Sequence, residues 1–293
     1  SLACVRAPQL PDVVAVTNEG KASSIEQLLA SIDDHGVVCV GEQHDQASHH
    51  RVQLAIFQRM VAARKHRKLA LGLEMLRRPQ QGAVDDYVRG HIDGRQLHHA
   101  TDWRTSWGFD FAMYEPLLAT CHRYGLPVLA LNAPRSLTRA IGRRGLAGLS
   151  PLVRRSLPEL ELRDEEHRKF FWAIMGFREG GHASARAENF YTAQVTWDET
   201  MAEGAASWQR GAQNRQLMIV AGNGHCHSSA IVGRVRRRNP DTRAMSIAIL
   251  DEGDEPLPHA HTEFIVRTKP QPVAPKKARP HNPHLKPRRR HGS

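Results

Sequence analysis

The chain has 293 residues, of which 40% are apolar and 24% charged, a balance that excludes collagen-like and wholly disordered classes. Its net charge of +11 is concentrated at one end: residues 269–293 hold eight Lys or Arg, no acid and six of the 17 prolines, which leaves residues 1–268 at only +3. The charge therefore describes a nearly neutral body with a basic tail rather than a nucleic-acid-binding globule, and no nucleic-acid partner is expected.

Near the start, Ala3-Cys4 has the form left where a bacterial lipoprotein signal is cut, with Cys4 as the lipid acceptor. A chance cysteine near a truncated start reads equally well from these residues alone. Residues 1–12 are read as a tether. The β-branched run 37–40 then predicts a buried strand closed by Gly41, followed by an amphipathic stretch to about residue 67. A second strand spans 69–73 and ends at Glu74. Helical patterns cover 79–88 and 111–124. A third strand, 127–131, ends at Asn132, and a fourth, 217–221, ends in Gly222-Asn223-Gly224-His225; 244–250 and 263–268 read as two more. This alternation predicts an α/β domain over 13–268, a mostly parallel sheet flanked by helices.

Between the third and fourth strands, about 134–215, there is no strand signal, and an α-helical insertion is expected. Phe170, Phe171, Ile174, Met175 and Phe177, then Phe190, Trp197, Met201 and Trp208, recur at helical spacing and predict packed core or a dimer face. From residue 269 onward the Pro-rich basic segment cannot bury enough apolar surface to fold, and a disordered tail is predicted. Cys4, Cys39, Cys121 and Cys226 are widely spaced without a CxxC, so neither a disulfide scaffold nor a zinc ribbon is expected.

In a parallel sheet, ligands bind outside the carboxyl ends of the strands. Here those ends are polar: Glu42, His44, Asp45, His49 and His50 after the first strand, Glu74 after the second, Asn132 and Arg135 after the third, His225 after the fourth. Glu42 alone suits a helix N-terminus. Glu74 follows a strand that reads as buried, where an unpaired charge is costly. Two uses fit the set. Glu42, His44, Glu74 and His225 suit a divalent metal with an open water, as in a hydrolase in which the same four residues are catalytic. The rim also suits haem, whose iron accepts His or Tyr. Residues 134–155 carry six arginines, Arg135 and Arg139 nearest the rim, and no acid, which reads either as a propionate patch or as a solvated basic face. The absence of GxGxxG, a P-loop, GxSxG, HExxH and CxxCH argues against nucleotide, serine-hydrolase, zincin and covalent-haem chemistry.

Six segments, "VVCVGEQHDQASHH", "LALGLEML" with Gln80-Gln81 beyond it, "WRTSWGFDFAMYEPLL", "LPVLALNAPR", "AQVTWDETMA" and "MIVAGNGH", resemble in this order the ChaN-like haem-binding lipoproteins. These belong to the haem-binding uptake, Tiki superfamily, alongside erythromycin-esterase-like hydrolases and Tiki-type metalloproteases. The resemblance runs from about residue 37 to 225, with weaker support to 268. It implies an α/β fold with a helical insertion and a protein of the bacterial cell envelope engaged in iron or haem acquisition. It further implies a lipid anchor at Cys4 and a homodimer holding non-covalent haem between subunits. The superfamily's acidic-histidine rim falls on Glu42, His44, Glu74 and His225. A Tyr haem ligand is implied; of Tyr87, Tyr114, Tyr124 and Tyr191, Tyr114 is the first candidate and Tyr191 the second, with His49 and His50 as further haem-contacting residues. The basic tail matches nothing in the family and is expected to lie against an anionic membrane.

Overall fold

The computed structural model describes residues 10–176, 184–210 and 214–270. In chain order the first half contains β1 (Val13–Asn18), β2 (Lys21–Ser23), α1 (Ile25–Asp33), β3 (Val37–Glu42), α2 (Ala47–Ala63), β4 (Lys68–Arg77), α3 (Gln81–Val88), α4 (Gly94–Ala100), α5 (Trp103–Ser106), α6 (Glu115–Tyr124) and β5 (Val128–Asn132). The second half contains α7 (Arg135–Arg144), α8 (Pro151–Arg155), α9 (Glu165–Met175), α10 (Ala185–Gln209), β6 (Arg215–Gly222), α11 (Ile231–Arg238), β7 (Ala244–Asp251) and β8 (Phe264–Thr268). The strands form one sheet in the order β2-β1-β8-β7-β3-β6-β4-β5. Every pairing from β8 to β5 is parallel; β1 pairs antiparallel with β2 and β8. The fold is thus α/β with a mostly parallel sheet, and the connection from β5 to β6 carries only helices among its described residues.

Side-chain alternation along the strands divides the core into two. Val38 and Val40 of β3, Leu69, Leu71 and Leu73 of β4, and Met218 and Val220 of β6 pack with α1, α2, α3 and α6. Val37 and Cys39, Ala70, and Leu217, Ile219 and Ala221 face the other way and pack with α10 and α11. Burial on both faces is why these strands read as continuous apolar runs rather than as alternating ones. Local signals agree with the tertiary structure. Ser24 and Gln27 form a capping box at the start of α1, and Gly125, at φ 60°, ends α6 in the left-handed region a glycine adopts most easily.

Four features depart from the sequence reading. The hairpin β1–β2 was not expected: Glu19 and Gly20, at φ 48° and 79°, make the two-residue turn that matches strand twist, joining the β-branched but mostly exposed β1 to a polar three-residue β2 at the sheet edge. Leu10, assigned to the tether, is buried in the core. The aromatic stripe of the insertion divides: Phe170, Phe171 and Met201 are buried, Ile174 and Met175 are exposed, and Phe177 lies outside the described residues. Cys39 and Cys226, 187 residues apart, form a disulfide that ties β3 to the turn after β6. No local spacing could announce that pair. Among the described residues no helix is long and apolar enough to cross a membrane. Cys4 and nearly all of the basic tail lie outside the described residues.

Candidate functional site

The register of the three central strands brings their polar ends to one rim. Glu42 pairs with Gly222 at the end of the β3–β6 ladder, and Leu73 with Val220 one residue before Glu74. Strand alternation then sends the two carboxylates to opposite faces. Glu42 shares the side of Val38 and Val40, while Glu74 shares the side of Gly72, whose absent side chain would meet Leu131 and Ile219. Gly222 lies between them. A Cβ there would come within 2.9 Å of the His44 ring and 3.8 Å of Glu74 Oε2, so glycine is what lets His44 lie across the sheet edge.

On the first face Glu42 is fully enclosed. Its Oε1 accepts the Tyr114 hydroxyl at 2.7 Å and His44 Nδ1–H at 2.8 Å; His50 Nδ1 stands 3.3 Å from Oε2. Burial opposes the charge, but the hydrogen bond from His44, the fields of His50 and His44, and the Tyr114 hydroxyl outweigh it, so the Glu42 pKa is lowered. His44 answers in the opposite sense. Burial disfavours its cation, the bond to Glu42 and the field of Glu74 favour it, and its pKa is raised. The ring sits edge-on to Trp107, centroids 4.7 Å apart, and against Phe109 at 4.9 Å. With Nδ1 held by Glu42, Nε2 has no hydrogen-bond partner among the described residues, and a quarter of the side chain is open to solvent.

On the second face a chain of polar groups runs inward. Glu74 Oε2 accepts the Gly222 N–H at 2.7 Å, and Oε1 lies 3.4 Å from His225 Nε2. His225 Nδ1 meets Asp198 Oδ1 at 2.5 Å; Asp198 Oδ2 meets His167 Nε2 at 2.9 Å. Burial works against an imidazolium at His225, yet Glu74 and Asp198 push its pKa up to about 9. Asp198, buried but between two imidazoles, is held well below the ordinary carboxylate range. His227, close by, has no such partner on Nε2, and burial pushes its pKa down to about 3.

Asp198 and His167 join the site without having been anticipated from the sequence. Asp198 lies within the family-like segment "AQVTWDETMA", but in mid-helix, where a single acid gives no signal of its own. His167 comes shortly after the N-cap Asp164 of α9 and reads as an ordinary first-turn residue.

Several predicted roles do not survive the geometry. Glu42, His44, Glu74 and His225 share the rim, but among the described residues no group of His, Cys, Asp and Glu is placed to hold a metal ion. The physical reason is that most of their donor atoms are already engaged, Glu42 by Tyr114 and His44, Glu74 by the Gly222 N–H and His225 by Asp198, and that strand alternation puts the two carboxylates on opposite faces. The arrangement does not favour metal-dependent hydrolysis on these four residues. Tyr114 is not a surface ligand. It is fully buried with its hydroxyl on Glu42, and burial together with that carboxylate pushes its pKa far up, away from the phenolate. Tyr191 is also buried, under the Arg168 guanidinium 4.2 Å from its ring centroid, and burial raises its pKa as well. His49 lies inside, its Nδ1 accepting the Gln43 N–H at 3.0 Å, and His50 donates Nε2–H to the His44 carbonyl at 3.1 Å. Both imidazoles orient the loop rather than face a ligand. Arg135 donates to the Thr105 carbonyl at 3.0 Å, and beside it Arg77, not anticipated, donates to the Ser106 carbonyl at 2.6 Å. The two guanidiniums thus pin the end of α5, just ahead of Trp107 and Phe109. Arg139 is exposed on α7.

Outside His44 and His225 lies a cleft of about 300 Å³, walled also by Ile174, Gln194, Leu250 and Leu257. A flat ligand edge could enter it with most of its body against the exposed apolar side chains around the mouth.

Comparison with known proteins agrees with this architecture. ChaN of Campylobacter jejuni, solved for its cofacial haem binding, is similar in structure with a TM-score of 0.69 at 17% identity, covering 89% of this chain and 99% of that one. A mutant of the erythromycin esterase EreC in its open conformation has a TM-score of 0.51 at 14% identity, covering 88% and 83%. At these identities the likeness is one of fold. No curated protein matches the sequence. The family described as haem-binding uptake, Tiki superfamily, ChaN matches residues 28–235, most of the chain, and to that family this protein belongs.

Proposed function

We propose that the protein binds haem non-covalently at this rim, with His44 Nε2 as the iron ligand, in the service of haem or iron uptake. The observation that carries the reading is the state of His44: its Nδ1–H is fixed on Glu42, its Nε2 is unpartnered among the described residues, and two aromatic rings flank it. An imidazole oriented by a carboxylate behind it is a stronger and better-directed ligand. Haem supplies the iron chemistry; the chain supplies the imidazole, an apolar surround and cations. Phe109, Ile174 and Leu257 are the apolar surround, and Arg135, exposed at the start of α7 and bonded to the Thr105 carbonyl, is a cation available to a propionate.

The exposed apolar residues at the mouth, Phe109, Ile174, Met175 and Leu257, also support a homodimer closing over the ligand. The Cys39–Cys226 disulfide supports an oxidising compartment, in keeping with a lipoprotein of the cell envelope anchored at Cys4.

Titration of ferric haem followed at the Soret band tests the assignment. Wild-type protein is expected to give a shifted Soret maximum characteristic of imidazole ligation, and His44→Ala to lose it. An unchanged spectrum in His44→Ala removes His44 as ligand, and no binding by either protein removes the haem reading altogether.

A further inference from the structure

Away from the rim, the start of the helical insertion forms a surface that haem binding does not use. Residues 134–158 contain six arginines and no acid. On α7 the buried residues Thr138, Ile141 and Gly142 face inward, Gly142 against Phe190 of α10, which leaves Arg139 and Arg143 one turn apart on the outer stripe. Arg144 packs over Gly148, where an added Cβ would collide with the Arg144 side chain. From the other side of the same turn, Arg154 Nη2 donates to the carbonyls of Ala147 and Leu149 at 3.3 and 3.4 Å. The turn therefore gathers the ends of α7 and α8 into one patch. Leu152 stands out of its middle, 73% exposed, with Val153 beside it.

Among the described residues, Arg139, Arg143, Arg144, Arg154 and Arg155 form no ion pair. Later in the same insertion and beyond it, other arginines are met by acids: Arg168 bonds Glu188, and Arg234, Arg237 and Arg238 surround Glu199. A lone exposed leucine is unremarkable, but one ringed by uncompensated guanidiniums has a specific chemistry. The geometry points to a docking face for an anionic phospholipid bilayer, with the arginines of α7 and α8 on headgroup phosphates and Leu152 and Val153 entering the acyl-chain boundary.

The guanidinium fork matches phosphate oxygens, and an apolar tip between cations is what an interfacial segment inserts. A soluble polyanion would take the arginines and have no use for the leucine, which is what favours lipid. The ten residues of α7 rise about 15 Å between Arg135 at the rim and this patch. The inference does not depend on the haem reading.

Co-sedimentation of the full-length protein with vesicles of phosphatidylcholine containing a minority of phosphatidylglycerol tests it, with pure phosphatidylcholine vesicles and a heparin column alongside. The basic tail is present in every variant, so differences report the patch. Arg139→Gln with Arg143→Gln should weaken binding to the anionic vesicles about fivefold for each cation removed. Leu152→Ser should weaken it about tenfold while leaving heparin retention unchanged. All three residues are exposed, and unchanged circular dichroism and thermal unfolding are expected of the variants. Vesicle binding that survives Leu152→Ser, or survives the double arginine variant, overturns the proposal. Equal loss on vesicles and heparin with Leu152→Ser silent would assign the arginines to a soluble polyanion instead.

Discussion

Tyr114 and Glu42 are 72 residues apart, yet the phenol donates a hydrogen bond to the carboxylate at 2.7 Å in a site closed to solvent. That bond explains how a charged glutamate can end a strand buried on both faces. It also removes Tyr114 from any list of surface ligands, because a phenol beside a buried carboxylate keeps its proton. Tyr114→Phe should therefore leave the haem Soret maximum unchanged while lowering stability by about 1.5–3 kcal/mol, the range for a hydrogen bond to a charged group. Urea unfolding read beside the haem spectrum checks both halves; a lost Soret shift with intact stability would contradict the assignment.

Haem affinity should depend on pH through His44. Its pKa is raised above the ordinary imidazole value, since the bond to Glu42 and the field of Glu74 outweigh burial, and only the neutral ring can bind iron. Affinity should thus fall by about tenfold for each pH unit below that pKa and level off above it. Glu42→Gln weakens the cation at His44, so the fall should begin at lower pH. Haem titrations over a pH series would show whether the midpoint moves in that direction.

Folding stability should carry a second pH signature from His225. Its pKa in the folded protein is raised to about 9 against an ordinary value near 6.5. Protonated His225 therefore contributes stability that is fully present below about pH 6.5 and is lost as pH rises through about 9, on the order of 3 kcal/mol in all. Asp198 has the reverse sign: its pKa is depressed, so its contribution is present at neutral pH and lost on acidification. His225→Gln should flatten the alkaline limb of a stability–pH curve measured by denaturant unfolding. A limb of unchanged slope would mean that His225 is not charged in the folded state.

Behind the rim, Glu199 is fully buried and accepts from Arg234, Arg237 and Arg238 as well as from the Glu161 N–H. Arg234 is itself buried, with Nε and Nη2 unpartnered. Glu199→Gln leaves that guanidinium without its counter-charge and should cost about 3–5 kcal/mol. Arg237→Gln, at an exposed position, should cost about 1 kcal/mol or less. Comparable losses in the two variants would show that Arg234 is not the dependent partner.

Reduction of Cys39–Cys226, or Cys226→Ser, should lower stability by about 2–5 kcal/mol, since the bond closes a loop of nearly two thirds of the chain. Cys226 is the residue next to His225, so the reduced protein should also show a shifted alkaline limb. Unfolding curves with and without reductant provide the comparison; identical curves would mean the bond is not formed in solution.

The central strands, the parallel sheet, the helical insertion and the polar character of the rim were readable from the sequence, because each depends on near neighbours along the chain. Val37 to Val40 can only be a doubly buried strand, and the polar residues beyond its last apolar position must reach the carboxyl edge. The partners of that rim were not readable. Glu42 ends β3 and Glu74 lies within β4, just past its last pairing with β6, yet the alternation that sends one toward Tyr114 and the other toward Asp198 has meaning only once helices cover each face. Asp198 in mid-helix, His167 in a first turn, Tyr114 in a loop and Cys226 beside a glycine turn are each unremarkable locally. They acquire partners across 27, 31, 72 and 187 residues through sheet register and helix packing. Residue type and spacing determined which groups reach the edge; three-dimensional packing decided which are held by a neighbour and which, like His44 Nε2, are left for a ligand.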